Sequence, residues 1–266
     1  MSHSSAPFGQ AKYQVRFDWG AAGAERVLPG AHVVVVVDVL SFTTAVVAAV
    51  ERGVPVAPWP AGDAAGAAAL AERLGGVVAG RRGEAGPTLS PTSFTGAEAV
   101  DELDGPVVIP SPNGGAIAAR LAERDVVVLA GALRNRTAVA ERVLALQEER
   151  GERTIVAIVA AGERETPAGG GAGGGEAIRF AIEDQLAAGA IVDALVGLGI
   201  DHTSPEAAAA GEAFRGLRGA VRHLLTASGS GQELLDLGSR DEVLNAAAVD
   251  ATGLVPVLRE GAFVAY

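Results

Sequence analysis

The chain of 266 residues contains no cysteine, and Lys12 is its only lysine. Without cysteine there can be no disulfide, no thiolate zinc site and no cysteine nucleophile. With Lys12 alone, neither a lysine Schiff base nor a phosphate-gripping lysine is expected. Basic residues are outnumbered, 21 against 32 acidic ones, for a net charge of −11. Nucleic acid and anionic membrane are usually met by a basic face, so neither partner is expected. No apolar run approaches the ~20 residues of a membrane span; Val33–Val37 already stops at Asp38. The opening MSHSSAPFGQAK lacks the apolar core of a secretory leader, so the expected compartment is the cytoplasm.

What is present is globular: 49% hydrophobic residues with 20% charged ones. The length suits one α/β domain over 1–266, or sub-lobes near 30–190 and 191–266. Such a chain buries about 70% of its unfolded surface. Short β-branched runs alternate with alanine-rich stretches. Val33–Val37 reads as a buried strand, followed by a helix over Thr43–Arg52 that Gly53 stops. Further strands are predicted at Val54–Ala57, Val77–Ala79, Val107–Ile109, Val126–Leu129, Thr154–Val159 and Val255–Leu258. Helices are predicted from the Asp63 cap to Leu74, and over Gly114–Glu123, Thr137–Arg150, Glu176–Ala188 and Arg240–Val249. Ser204–Thr226 reads as one long helix with Ser204 as cap and Pro205 in the first turn. Gly80–Gly96 reads as irregular and Ala160–Gly175 as a glycine-rich loop. Alternating strands and helices predict a three-layer α/β/α fold on a largely parallel sheet, with room for a smaller α/β lobe in the C-terminal third.

Open parallel sheets bind ligands beyond the carboxyl ends of their strands, so the residues after each strand matter most. Four such turns are polar: Asp38–Thr44, Pro110–Gly115, Ala130–Asn135 and Ala160–Glu165. Each opens a helix whose first N–H groups favour an anion. Asp38, directly after five valines, is read either as a capping aspartate or as a metal-binding or acid group. Ser41, Thr43 and Thr44 read as cap hydroxyls or ligands, and Asn113-Gly114 is also a common turn pair. Glu183-Asp184 falls within the predicted helix among Phe180, Ile182 and Leu186, so one carboxylate must lean toward an apolar side.

Other chemistries lack their signatures. Gly169–Gly175 fits a loose G-x-G-x-x-G but starts about nine residues past a strand, where a dinucleotide fingerprint follows at once. There is no Walker A sequence, no H-E-x-x-H and no G-x-S-x-G. His3, His32, His202 and His223 are too scattered for a zinc cluster. Leu40, two residues after Asp38, occupies the place of the second aspartate that an aspartyl-phosphate route needs.

The order of the turns resembles the 2-phosphosulfolactate phosphatase family of magnesium-dependent phosphatases, from about Val33 to the C-terminus. A family stretch like D-V-L-R-A-T-T is similar to Asp38-Val39-Leu40-Ser41-Phe42-Thr43-Thr44. N-S-P resembles Leu89-Ser90-Pro91, T-T-N-G-T-R resembles Ser111–Ala116, and G-S-F-L-N-A resembles Gly131–Arg136. An acidic L-E-D-x-L-x-A-G-A segment is similar to Ile182–Ala190. The chain departs at Ser41 and Ala116, where the family has arginine, at Arg81 for the glutamate of a G-E-R triplet, and at Leu89 for an asparagine.

The resemblance implies a phosphatase for a small phosphorylated hydroxy acid. It implies Asp38, Asn113 and Glu183 as catalytic residues, and Mg²⁺ held by Asp38 with Glu183 or Asp184. Substrate contacts are implied for Ser41, Thr43, Thr44, Ser111, Gly114, Arg82, Arg134 and Asn135. Arg81, Arg82 and Arg134 are the arginines that could offset the missing two. The expected partner is a small anionic substrate, with association into a homo-oligomer left open. Two alternatives stand beside this reading: a non-catalytic or altered-specificity small-anion binder of the same fold, and a nucleotide-dependent enzyme built on the glycine-rich loop.

Overall fold

The structure, a computed structural model, describes residues 7–95, 100, 103–164 and 177–266. The chain opens with β1 (Val15–Trp19), α1 (Gly20–Val27), β2 (Val33–Val37), α2 (Phe42–Glu51), β3 (Val56–Pro60), α3 (Ala64–Leu74) and β4 (Val77–Val78). It continues with β5 (Val107–Ser111), α4 (Gly114–Leu121), β6 (Val127–Gly131), α5 (Arg136–Arg150), β7 (Val156–Ala160), β8 (Glu163–Arg164) and β9 (Ile178–Arg179). The remainder is helical, α6 (Ile182–Gly197), α7 (Pro205–Leu217), α8 (Val221–Ala227), α9 (Gly229–Asp236) and α10 (Arg240–Ala246), until the hairpin β10 (Pro256–Arg259) and β11 (Ala262–Ala265).

Nine strands form one sheet in the order β1-β7-β2-β6-β10-β11-β3-β5-β4. The groups β1-β7-β2-β6 and β3-β5-β4 are each parallel, as the β/α alternation predicts. The C-terminal hairpin splices them through one antiparallel pair on each side, Val257 with Leu129 and Phe263 with Val56. Residues from the end of the chain thus occupy the middle of the sheet.

The five valines of β2 show why three layers form. Successive strand side chains point to opposite faces, so Val33, Val35 and Val37 join one core while Val34 and Val36 join the other. The first core receives α5, α6 and α7 through Val143, Ile191 and Phe214. The second receives α1, α2 and α4 through Val27, Val46 and Ile117. Full burial of a valine stabilises by about 1.5–3 kcal/mol, and all five are buried.

Several elements differ from expectation. The helix predicted over Glu176–Ala188 begins at Ile182 and runs to Gly197, because Ile178–Arg179 pairs with Glu163–Arg164 as a small antiparallel ribbon. The predicted long helix after Ser204 is interrupted at Arg218–Ala220, beside the poor helix formers Gly216 and Gly219. Its cap is as predicted: Ser204 Oγ accepts the Ala207 N–H at 3.1 Å. Asp63 likewise accepts the Gly66 N–H at 2.9 Å. Strands β1 and β11 and helices α1 and α9 are additional to the predicted set. Gly169–Gly175 lies outside the described residues. No described helix is long and apolar enough to cross a membrane.

Candidate active site

Three of the four polar turns are tied together by hydrogen bonds. After β2, Asp38 is buried and its Oδ2 accepts the Gly114 N–H at 2.6 Å, with Ser111 Oγ at 3.5 Å. After β5, Asn113 opens α4, and its Nδ2 donates to Glu163 Oε1 at 3.3 Å in the turn after β7. Asp184 closes the circuit: Oδ1 accepts the Val39 N–H at 2.8 Å and Oδ2 the Gly162 N–H at 2.9 Å. Glu183-Asp184 occupies the first turn of α6 rather than its middle, since that helix starts late. Both carboxylates therefore sit at the positive end of the helix and are buried.

Gly114 is required by this close approach. A Cβ there would lie 2.6 Å from Asp38 Cβ and 2.7 Å from its Oδ2. Only a bare backbone brings the N–H within reach of the carboxylate.

The turn after β2 is held by its own hydroxyls. Thr43 Oγ1 accepts the Asp38 N–H at 3.1 Å and donates to Asp38 O at 2.9 Å. Thr44 Oγ1 donates to Val39 O at 2.7 Å. Both threonines are fully buried, so their hydroxyls are spent on shaping the turn. Ser41, also buried, accepts from Arg82 Nη2 at 2.9 Å and donates to Glu242 Oε2 at 3.3 Å. Arg82 and Glu242 are themselves 3.3 Å apart. A guanidinium from the 80–86 turn thus reaches the position-41 side chain where the resemblance led us to expect an arginine.

The turn after β6 stands apart from this group. Arg134 pairs with Glu51 Oε2 at 3.4 Å and donates to Asn245 O at 3.2 Å. Asn135 is fully buried; its Oδ1 accepts the Ala132 N–H, and its Nδ2 donates to Ala130 O and Leu254 O. Their contacts thus hold the turn and the C-terminal segment.

Burial dominates the electrostatics. It pushes Asp38 up to about 6, with the Glu163 and Glu183 charges adding to the rise and N–H bonds from Gly114 and Phe42 opposing it. Asp184 is raised well above the ordinary carboxylate range by burial first, then by the charges of Asp38 and Glu183. Glu163 is raised by burial, against the hydrogen bond from Asn113. Such a group of carboxylates holds protons tightly or attracts a cation.

Among the described residues, no group of three or more His, Cys, Asp or Glu side chains is arranged to hold a metal. Mg²⁺ asks for less: one or two carboxylates, with waters and substrate oxygens completing its shell. Two observations fit that demand. Asn113 Oδ1 is buried without a hydrogen-bond partner. The Glu183 carboxylate, buried in a side chain 3% exposed, makes no hydrogen bond or ion pair with any described residue. All the donors are oxygens, which suits a hard cation.

Two contributors were not singled out from sequence. Glu163 lies in a turn that was recognised, yet nothing marked it above Glu165. Glu242 carried no signal, being 201 residues from the serine it meets.

The comparisons agree with the turns. A family model described as 2-phosphosulpholactate phosphatase matches residues 24–261. A protein of Symbiobacterium thermophilum named "Probable 2-phosphosulfolactate phosphatase" is 30% identical over 176 residues, an alignment covering 66% of this chain and 66% of that protein. With a match that takes in every strand from β2 to β10, the chain belongs to the 2-phosphosulpholactate phosphatase family.

Proposed function

We propose that this chain hydrolyses the phosphate monoester of a small hydroxy acid, with 2-phosphosulfolactate as the leading substrate, in a Mg²⁺-dependent reaction. The observation that carries the reading is Asp38, a buried carboxylate at the end of β2 held 2.6 Å from the Gly114 N–H at the start of α4. Asp38 and Glu183 are the carboxylates that would hold the ion, with Asn113 Oδ1 as a further oxygen. Held there, Mg²⁺ would supply positive charge to offset that of the phosphoryl group and would favour attack by water.

The chain's own groups supply the rest. Ser111 Oγ and the Gly115 and Ala116 N–H groups in the first turn of α4 bind phosphoryl oxygens, the Gly114 N–H being committed to Asp38. Asp184 fixes the spacing between the turns after β2 and β7 through Val39 and Gly162. Water forms the new P–O bond as the ester P–O bond breaks, and the water's proton passes to solvent. The departing alkoxide takes its proton from Glu163, which burial biases toward the protonated form and Asn113 holds in place.

Phosphate release from 2-phosphosulfolactate tests the proposal. Release should stop with a chelator, return with Mg²⁺, and fall at least about 100-fold in Asp38→Asn. Unchanged release in Asp38→Asn removes Asp38 from the mechanism. Binding without release moves the chain to the small-anion binder.

A further inference from the structure

Side chains from three distant parts of the chain meet beside the turn that carries Asp38. Glu242, on α10, is 3% exposed, and Arg82 in the 80–86 turn is its ionic partner among the described residues, Nη2 to Oε2 at 3.3 Å. Ser41 lies between them, accepting from Arg82 Nη2 at 2.9 Å and donating to Glu242 Oε2 at 3.3 Å. The direction of this chain is fixed, because a guanidinium only donates and a carboxylate only accepts.

Charge balance alone does not explain the arrangement. Burying a carboxylate with one cation is costly, and an apolar side chain could fill the same place on α10 without that cost. What such a pair adds is a single registry between the elements that carry it. Among the described residues, the hydrogen bonds of residues 81–86 stay within that turn, apart from those of Arg82: Glu84 Oε2 accepts the Arg81 N–H and Arg81 O the Glu84 N–H. Arg82 is thus what ties the turn to the site. On the other side, Ser41 stands three residues past Asp38 in a tight backbone. Asp38 O accepts the Thr43 N–H at 2.8 Å, and Ser41 O the Ala45 N–H at 2.9 Å. The neighbouring Phe42 ring lies 3.0 Å from where a Cβ on Gly114 would stand, and the Gly114 N–H holds Asp38 Oδ2. A displacement of Ser41 therefore reaches both sides of the Asp38–Gly114 contact.

We propose that Glu242 is a positioning residue of the active site: it holds Arg82 against Ser41 and so fixes the turn on which Asp38 sits; which reaction is thereby positioned rests on the hydrolase reading.

Amide exchange of the full chain, read by mass spectrometry, tests the link without turnover. Glu242→Gln keeps an acceptor for Ser41 and removes the charge that holds Arg82. Exchange should quicken about 10-fold in residues 38–45 and 80–86, the scale of one hydrogen bond to a charged group. Quickening confined to 240–246, around the substitution, overturns the proposal. In a Ser41→Ala chain the same substitution should still loosen 80–86 but add nothing over 38–45, and a further rise there overturns it too. Should Glu242→Gln not fold, Ser41→Ala alone reads the link: exchange over 38–45 should rise, and an unchanged turn refutes the brace. In phosphate release, Glu242→Gln should lower kcat about 10-fold with KM within about 2-fold, because a group is misplaced and no substrate contact is removed. An unchanged kcat overturns the catalytic consequence. A wild-type chain that releases no phosphate from 2-phosphosulfolactate instead strikes the hydrolase reading, and the exchange rates still decide the brace.

Discussion

Gly114→Ala probes the geometry on which the candidate site depends. The added Cβ would stand 2.6 Å from Asp38 Cβ, 2.7 Å from Asp38 Oδ2 and 3.0 Å from Phe42 Cδ1. Carbon atoms rest at about 3.5–4.0 Å, so relief requires a shift of roughly 1 Å. Asp38 is 5% exposed and Phe42 fully buried, so neither can swing into solvent. Overpacking of this kind costs about 1–3 kcal/mol, and the helix propensity gained by replacing glycine returns at most about 1 kcal/mol. With that full return the net loss is at most about 2 kcal/mol, which lowers the melting temperature by at most roughly 8 °C at this chain length. The catalytic effect is larger. A 1 Å shift breaks the 2.6 Å bond between the Gly114 N–H and the Asp38 carboxylate. A bond to a charged group contributes about 1.5–3 kcal/mol, so kcat/KM should fall roughly 10- to 100-fold. Phosphate-release kinetics beside a urea titration reads both quantities. A folded Gly114→Ala chain with wild-type kcat/KM would refute the claim that the Gly114–Asp38 contact organises the site.

Two further outcomes follow from groups outside the reaction itself. Asp184→Ala strands the buried Val39 and Gly162 N–H groups, each worth about 1.5–3 kcal/mol when bonded to a carboxylate. Removing a carboxylate that burial already disfavours offsets part of that loss. Urea unfolding should show a net loss of at least about 2 kcal/mol, and a smaller one for Asp184→Asn, which keeps one acceptor; equal stability of wild type and Asp184→Ala contradicts the clamp. His32 gives a pH dependence. Burial and the Arg150 charge lower its pKa, and its Nδ1 must stay unprotonated to accept the Ile155 N–H at 2.9 Å. The folded chain therefore binds fewer protons there than the unfolded one. That stability is present above the ordinary histidine value near 6.5 and fades as pH falls below it. Acidification from pH ~7.5 to ~5.5 should lower the urea midpoint more in wild type than in His32→Gln. An identical drop in both chains eliminates His32 as the cause.

Much of the fold follows from local pattern. Five consecutive valines can be buried only between two layers, and they alternate between two cores. The Ser204 and Asp63 caps were legible because an N-cap oxygen bonds an N–H only two or three residues on. Asp38 and Asn113 stood out because strand ends and helix starts are encoded nearby, and Glu183-Asp184 because apolar residues flank it, although its helix starts at Ile182 rather than at the predicted Glu176. That reasoning stops where partners are distant. Nothing within a few residues of Glu242 announces Ser41, and nothing near Asp184 announces the Val39 N–H 145 residues away. Arg134 and Asn135 carried the same local signal as the other turns, yet their bonds run to Asn245 and Leu254.

The absence of cysteine and the near absence of lysine were properties of the sequence alone, and they removed whole classes of chemistry before any fold was known. Composition likewise determined that anions would have to be met by arginines and backbone N–H groups. Where each arginine is placed was a tertiary matter: Arg82 reaches Ser41 and Glu242, Arg134 is paired with Glu51, and Arg179 rests on α9. The reason is physical: a side chain's chemistry is local, but its partner is selected by packing between elements far apart in the chain.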